Sequence, residues 1–547
     1  MSGPRRVLSI PPGVPFLPTL AQALLDGALV PGFRRDGDPL ALAAATVYVP
    51  TRRAARALRG VFAGLLGGAS AILPIIRPLG EFDEEEAAFD ADAGESAAAL
   101  QLAPPIAAIE RLLLLAPLVR AWKRRLPAHV AALFAEEVVV PASSADAVWL
   151  ARDLAALMDE VETEGSDWAR LAGLVDGSLA GWWQVTLDFL RIVTENWPAL
   201  LAERDRSDPA AHRSALIRLE AARLKRNPPA GPVVAAGSTG SIPATAELLA
   251  VIAGLPGGAV VLPGFDKGMD PASFAAITAP GPPPSLLGHP QYGLARLIGR
   301  IGVTRADVEE IAAPERPLAL RAALVAEALR PADTTELWAE ARARLPAGAI
   351  GAALAGIALV EAANERDEAA AIAVALKQAV AAPGRTAALV TGDRALARRV
   401  SAELLRFGVK ADDSGGTPLA ATPPATLLTL ALEAALRPGD PVALLSLVKH
   451  PLLGLGLERP LARRAAEAVE LVALRGGTGR PDAATLCDLF EARLAGESAD
   501  ARPPFWLPRL WARRIEEART LLQRLGEALA PLVGLREAGE TEFAALA

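Results

Sequence analysis

The sequence predicts an α/β protein with two parallel-sheet domains, each carrying a large helical insertion, the second one truncated. Three observations predict it. Strand and helix periods alternate over roughly the first 80 residues. The stretch from about 100 to 225 has helical period alone, and the alternation resumes at 232. The same succession starts again near 356 and gives way to helical period from about 440. A chain of 547 residues is too long for one ordinary domain, and its 52% apolar content suffices for large cores. The expected division is 1–95, the opening segment of the first α/β domain; 96–228, a helical insertion; 229–350, the closing segment of that domain with linker helices. The start of a second α/β domain follows at 351–435, and a truncated helical insertion at 436–547.

The first element is the strand Val7–Ile10 of "RRVLSIPPGVPFLPTLAQALL", followed by a tight loop and a helix around Phe16 to Leu25. Nucleotide-binding proteins place their phosphate loop at this address. Such a loop needs convergent backbone N–H groups, several glycines, a Lys and a Ser/Thr. Here Pro11, Pro12 and Pro15 have no N–H to donate, and Gly13 is the only glycine. No lysine precedes Lys123, and Thr19 has no Lys beside it. The loop is expected to hold no triphosphate.

In "ATVYVPTRRAARALRGVFAGLL" a β-branched strand, Thr46 to Val49, ends at Pro50, and Thr51 is placed to cap a helix. The expected apolar stripe is Ala54, Leu58, Val61 and Leu65. Arg52, Arg56 and Arg59 share one face, with Arg53 beside them. That pattern suits contact with a phosphate backbone, or forms an ordinary solvated face. "GEFDEEEAAFDADAGE" then carries eight acids and no base, the mark of a solvated loop or of an electrostatic fence.

The helical block holds six of the nine tryptophans: Trp122, Trp149, Trp168, Trp182, Trp183 and Trp197, which read as core. "LMDEVE" has the look of an ATPase acidic pair. However, Leu150, Leu154, Leu157 and Val161 have helical spacing, which leaves Asp159 and Glu160 mid-helix on a polar face. "AAGSTGS" follows a strand and precedes a helix, so Ser238, Thr239 and Ser241 with their backbone N–H groups offer an anion site or a capped βα turn. Asp266 ends the strand "VVLPGF" without an acidic neighbour.

The second α/β start is carried by "IALVEAANERDEAAAIAVALKQAV" and "RTAALVTGDRALARRVSAELLRFGV", each a strand followed by a helix. "TGDRALARRV" repeats the arginine pattern with Arg394, Arg398 and Arg399.

None of the six lysines has an acid two positions before it, so a restriction-type Asp/Glu-x-Lys site is absent. His129, His212, His289 and His450 stand singly and read as structural. The single cysteine, Cys487, excludes a disulfide framework, a cysteine-ligated zinc site and a four-Cys cluster within the chain. It reads as a buried helical thiol. Net charge is −7, which excludes a uniformly basic coat but not a local basic groove. No long uncharged apolar run suggests a membrane span, and prolines interrupt any secretory signal. A cytoplasmic location is expected.

With these residues in hand, the chain resembles the N-terminal half of AddB, a subunit of the bacterial AddAB helicase–nucleases, in its alphaproteobacterial form. The segments that carry the resemblance include "IPPGVPF", "VYVPTRRAARALR", "GSTGSIPATA", "VVLPGFD", "HPQYGLARLI", "ANERDEAAAIA", "DDSGGTPLAATP" and "LVKHPLLGLG", in order along nearly all of the chain. The resemblance implies two superfamily-1 helicase-like (RecA-like) domains with helical insertions. It implies an inactive motor here, with the AddA partner driving translocation, so that ATP and Mg²⁺ act in the partner or in missing domains and no cofactor is expected in this chain. It implies a role in double-strand break repair by homologous recombination, with single- and double-stranded DNA ends as the other partners, at the nucleoid. A C-terminal nuclease domain belongs to the family, and this sequence stops before it. A fragment without catalytic residues of its own is expected. DNA-backbone candidates are Thr51, Arg52, Arg53, Arg56, Ser238, Thr239, Ser241, Arg394 and Arg398. The alternative expectations are an autonomous ATP-dependent helicase and a protein-interaction scaffold without DNA contact.

Overall fold

The computed structural model describes residues 5–33, 40–67, 72–79, 102–125, 143–168, 170, 186–187, 189–344, 346, 348–475, 480–496 and 510–538. The acidic run at 80–95, His129, Trp182 and Trp183 lie outside them. The chain divides into two compact units, Met1–Ala358 and Leu359–Ala547.

The first unit is α/β. Its strands are β1 (Val7–Ile10), β2 (Thr46–Val49), β3 (Ile75–Pro78), β4 (Val233–Ala236), β5 (Gly258–Pro263) and β6 (Glu309–Glu310). They form one sheet in the order β3-β2-β4-β5-β1-β6, and every pairing is parallel. The central strands are near-continuous apolar runs because helices cover both faces. On one face Val7, Tyr48, Val233, Ala235, Val260 and Leu262 join a single core. On the other, Leu8, Ile10, Val47, Val49, Val234 and Val261 join a second. Strand alternation sends successive side chains to opposite layers. Gly258 is required at the start of β5, since a Cβ there would sit 1.8 Å from the carbonyl oxygen of Ile252.

Helices α1 (Phe16–Leu25) and α2 (Arg52–Leu65) pack on the second face through Leu20, Leu24, Ala55, Leu58 and Phe62. The buried stripe of α2 is therefore Ala55, Leu58 and Phe62, and Leu65 is exposed. It lies one residue away from the expected phase, because the Phe62 ring has more area to bury than Val61.

The helical insertion runs between β3 and β4. Its described helices include α3 (Ala108–Arg125), α4 (Ser144–Glu164), α5 (Trp197–Glu203) and α6 (Pro209–Arg226). A capping box at Ser143 and Asp146 opens α4, and Gly165 in the left-handed conformation closes it. Met158, not Leu157, faces the core of this block, and Leu157 is 41% exposed. Trp197 is buried there, and Trp122 packs edge-on against Phe189 with ring centroids 4.9 Å apart. Trp149 departs from the core expectation at 62% exposed. Arg111 is buried and bridges three elements, reaching Asp159 at 2.7 Å and Asp208 at 2.9 Å. Asp208 also caps α6 through the N–H of Ala210 and accepts from the Trp197 indole.

The other described elements of the first unit that shape the site are α7 (Pro243–Ala253), α8 (Pro271–Thr278), α9 (Tyr292–Ile301) and α10 (Arg316–Ala328). Helices α6, α7 and α9 cover the first face of the sheet through Ile217, Leu248, Ile252 and Leu297.

The second unit is helical among its described residues. Helices α11 (Glu365–Ala379) and α12 (Arg394–Arg406) pack through Ala369, Ala373, Val400 and Leu404. Asn364 and Asp393 cap them. A separate core gathers α13 (Pro423–Leu436), α14 (Pro441–Val448), α15 (Arg459–Val469), α16 (Leu486–Ala495) and α17 (Ala512–Ala538). The strands expected before α11 and α12 do not form among the described residues. Leu359 and Val390 stand 88% and 95% exposed. A strand is stable only where a neighbour pairs its backbone groups and its apolar face is covered.

No helix among the described residues is long and apolar enough to cross a membrane.

Candidate nucleic-acid interface

Because all six strands run parallel, their carboxyl ends lie along one edge of the sheet. The loop after β1 lies between those of β5 and β6. Its glycine, Gly13, has φ +88°, and a Cβ there would lie 2.9 Å from Leu318 Cβ and 3.4 Å from Pro314 Cβ. Helix α10 and the segment before it thus close over the turn made by Pro11, Pro12, Gly13 and Pro15. Pro15 starts α1 without any side-chain cap. From the other side Gly264, at φ +64°, approaches Pro12, and its N–H donates to Ile10 O at 2.9 Å.

The loop after β5 is held by side chains already in use. Asp266 accepts from the N–H groups of Gly268 and Met269, so its carboxylate closes a local turn. Gln291 donates to Gly264 O and accepts from Asp266 N, both at 2.9 Å. His289 accepts from Gln291 N on Nδ1, and its Nε2 faces Leu329 O at 3.0 Å. It therefore fastens this loop to the end of α10. Gln291 carries no local signature in the sequence, because its two partners lie in a segment more than a helix-length away.

The loop after β2 is different. Thr51 caps α2 by accepting from Ala54 N at 3.1 Å. Arg52 and Arg53 take the first two helical positions and are exposed, as is Arg56 a turn later. Arg59 is drawn back to Ile76 O at 3.2 Å. Helix α2 contains no acidic residue, and Arg56 has no ion-pair partner among the described residues.

The loop after β4 adjoins this one. Gly237 has φ +81°, and a Cβ there would lie 3.5 Å from Pro50 Cδ and 3.3 Å from the Phe16 ring. Ser238 accepts from Gly240 N at 3.2 Å, while Thr239 and Ser241 are exposed. Thr51 and the Ser238–Ser241 turn are therefore brought to neighbouring places on the edge, as their positions after β2 and β4 require.

No known family model matches this chain, and no characterised protein matches it.

In the second unit the arginine pattern separates. Arg394 forms a two-pronged pair with Asp413, at 2.9 and 2.7 Å, and also donates to Gly416 O. Arg399 pairs with Glu365. Arg398 is exposed with no ion-pair partner among the described residues. His212 binds Ser207 Oγ and Ala103 O, and His450 binds Thr426 Oγ1 and Leu452 N, so both sit in structural hydrogen bonds. Cys487 is half-buried, and burial with Glu491 and Asp488 nearby pushes its thiol up.

The Tyr48 hydroxyl on β2 donates to Glu220 on α6, and Arg77 and Arg223 complete the cluster at 3.2 and 2.7 Å. Burial, then the Glu220 charge, raises Tyr48 far above the ordinary phenol range. Burial alone would raise Glu220, but hydrogen bonds from Arg223 and Tyr48 and the two guanidinium charges outweigh it and hold the carboxyl low. This buried cluster ties the helical insertion to the strand whose far end carries Thr51.

Proposed function

We propose that this chain is a nucleotide-silent α/β scaffold that binds single-stranded DNA. We read it as the AddB-type portion of an AddAB-like helicase–nuclease in recombinational repair of double-strand breaks. The observation that carries the reading is the edge formed by Thr51, Arg52, Arg53 and Arg56: exposed cations on an acid-free helix, at the positive end of its dipole. The turn after β1 supports nucleotide silence, since Leu318 and Pro314 pack against Gly13 and its prolines have no N–H to donate.

The strand order, with β1 between β5 and β6, supports reading the first unit as a RecA-like core of the superfamily-1 helicase type. The order apolar segment, helix, apolar segment, helix over 357–406 supports reading the second unit as the start of another. On the sequence resemblance, an AddA-type subunit supplies ATP- and Mg²⁺-driven translocation on DNA ends in the cytoplasm.

The test is binding of a fluorescent oligodeoxythymidylate to the 547-residue chain across a salt series, for the parent and for Arg52→Ala/Arg56→Ala. Loss of two phosphate contacts lowers the log–log salt slope by about 1.4, from about 0.7 per contact on a single strand. An unchanged affinity and slope removes these arginines from the DNA path. Turnover of ATP by the purified chain on DNA refutes nucleotide silence.

A further inference from the structure

Helix α9 reads "YGLARLIGRI", with no acidic residue. Its apolar side, Leu294, Leu297, Ile298 and Ile301, is buried in the sheet's first-face core. Arg296 and Arg300, four apart, are exposed on the other side, with Tyr292 one turn before them. Neither arginine has an ion-pair partner among the described residues. The Arg296 guanidinium lies 5.5 Å from the centroid of the Tyr292 ring and donates to its hydroxyl at 3.2 Å.

This helix lies directly across the Ser238–Ser241 turn. A Cβ on Gly293 would sit 3.6 Å from Thr239 Cβ, and one on Gly240 would sit 2.7 Å from Leu297 Cδ1. Arg300 reaches Pro243 O, at the start of α7, at 3.3 Å. The turn is thus flanked on one side by Pro50, which Thr51 follows, and on the other by α9, the helix that carries Tyr292, Arg296 and Arg300. Gly240 matters because a Cβ there would push Leu297 of α9 away from the turn, whereas one on Gly293 would meet Thr239 at ordinary contact distance.

We infer that Tyr292, Arg296 and Arg300 extend the DNA site across the Ser238–Thr239 turn, taking an unpaired base on the Tyr292–Arg296 pair and backbone phosphates on Arg296 and Arg300. The inference rests on the single-strand reading of the Thr51–Arg56 edge and adds to it a second contact region with a different chemistry. An aromatic ring carrying a guanidinium is a stacking platform for a base, and every base has a face to offer. In a duplex the bases are already stacked on one another, so the pair selects single strands. Two arginines on an acid-free helix, with no carboxylate partner among the described residues, supply the charge complement for the phosphates.

The experiment uses the full chain with two oligodeoxythymidylates, one plain and fluorescent, one carrying photoreactive 5-iododeoxyuridine. Ultraviolet crosslinking to the Tyr292 peptide is expected. Arg296→Ala/Arg300→Ala is expected to weaken single-strand binding on the order of tenfold at 0.1 M salt and to lower the salt slope by about 1.4. Tyr292→Leu is expected to weaken it on the order of tenfold while leaving the slope unchanged. Undiminished binding by these variants, with no crosslink at Tyr292, overturns the extension. If Arg52→Ala/Arg56→Ala still weakens binding in that case, the original edge stands. A parent chain that binds no single strand at all overturns both. Equal affinity for duplex and single strand overturns the stacking role.

Discussion

Leu318 sits against Gly13 so closely that a Cβ on the glycine would lie 2.9 Å from its own Cβ. Two segments about 300 residues apart in sequence thereby close the first turn of the sheet. Gly13→Ala meets both this neighbour and a backbone at φ +88°. A loss of about 1–2 kcal/mol is expected from the left-handed conformation alone, read by urea unfolding. Leu318→Ala removes the cover but supplies neither a lysine nor the missing N–H groups. Isothermal titration should therefore still show no Mg²⁺-ATP binding. Heat released at micromolar nucleotide would mean that the prolines are not the barrier.

The Tyr48–Glu220–Arg77–Arg223 cluster gives a pH signature. The Glu220 carboxyl is held below its ordinary value of 4.5, so its contribution to stability is present above that value and is lost as pH falls through the lower folded value. Glu220→Gln should lose stability at neutral pH, and its stability should fall less steeply below about pH 4.5 than the parent's. Parallel acid-unfolding curves for the two proteins would contradict this.

Tyr48→Phe keeps the ring and removes one donor to a carboxylate. It should cost about 1–3 kcal/mol, since Glu220 retains Arg77 and Arg223. Its effect should shrink sharply in the Glu220→Gln background, because the two side chains share one hydrogen bond. A double-mutant cycle in guanidinium measures the coupling.

Arg111→Met leaves the buried Asp208 without its cation, with the Trp197 indole and the Ala210 N–H as its side-chain hydrogen-bond donors among the described residues. About 3–5 kcal/mol is expected. Asp159→Ala should cost far less, because that carboxylate is half exposed at the other end of the pair. Equal losses would show that Arg111 does not depend mainly on its buried partner.

Arg394 and Arg398 should behave oppositely. Arg394→Ala removes the two-pronged donor to Asp413 and the bond to the Gly416 carbonyl and should lower the melting temperature of the second unit, with little change in DNA affinity. Arg398→Ala should leave melting unchanged and lower the salt slope of any single-strand binding by about 0.7. Filter binding with parallel calorimetry separates the two.

The local chemistry was legible from the chain itself. The alternation of apolar runs and helical period announced a parallel α/β unit with an all-helical block inside it. Pro11, Pro12 and Pro15 lack their N–H groups whatever the fold, and Thr51 caps the helix that follows it because capping reaches only three residues ahead. The helix phases were legible less well. Phe62 and Met158 turned inward where Val61 and Leu157 were expected, since a broad apolar arc has more than one acceptable rotation.

Only the tertiary structure decided that β1 lies between β5 and β6, that Leu318 covers Gly13, and that Arg394 is tied to Asp413. It alone placed α9 across the Ser238–Ser241 turn, and left Leu359 and Val390 exposed. Period, caps and missing donors are set by residues within a turn of one another. Strand order and ion-pair choice are set by which distant segments meet, and no window of sequence contains both partners.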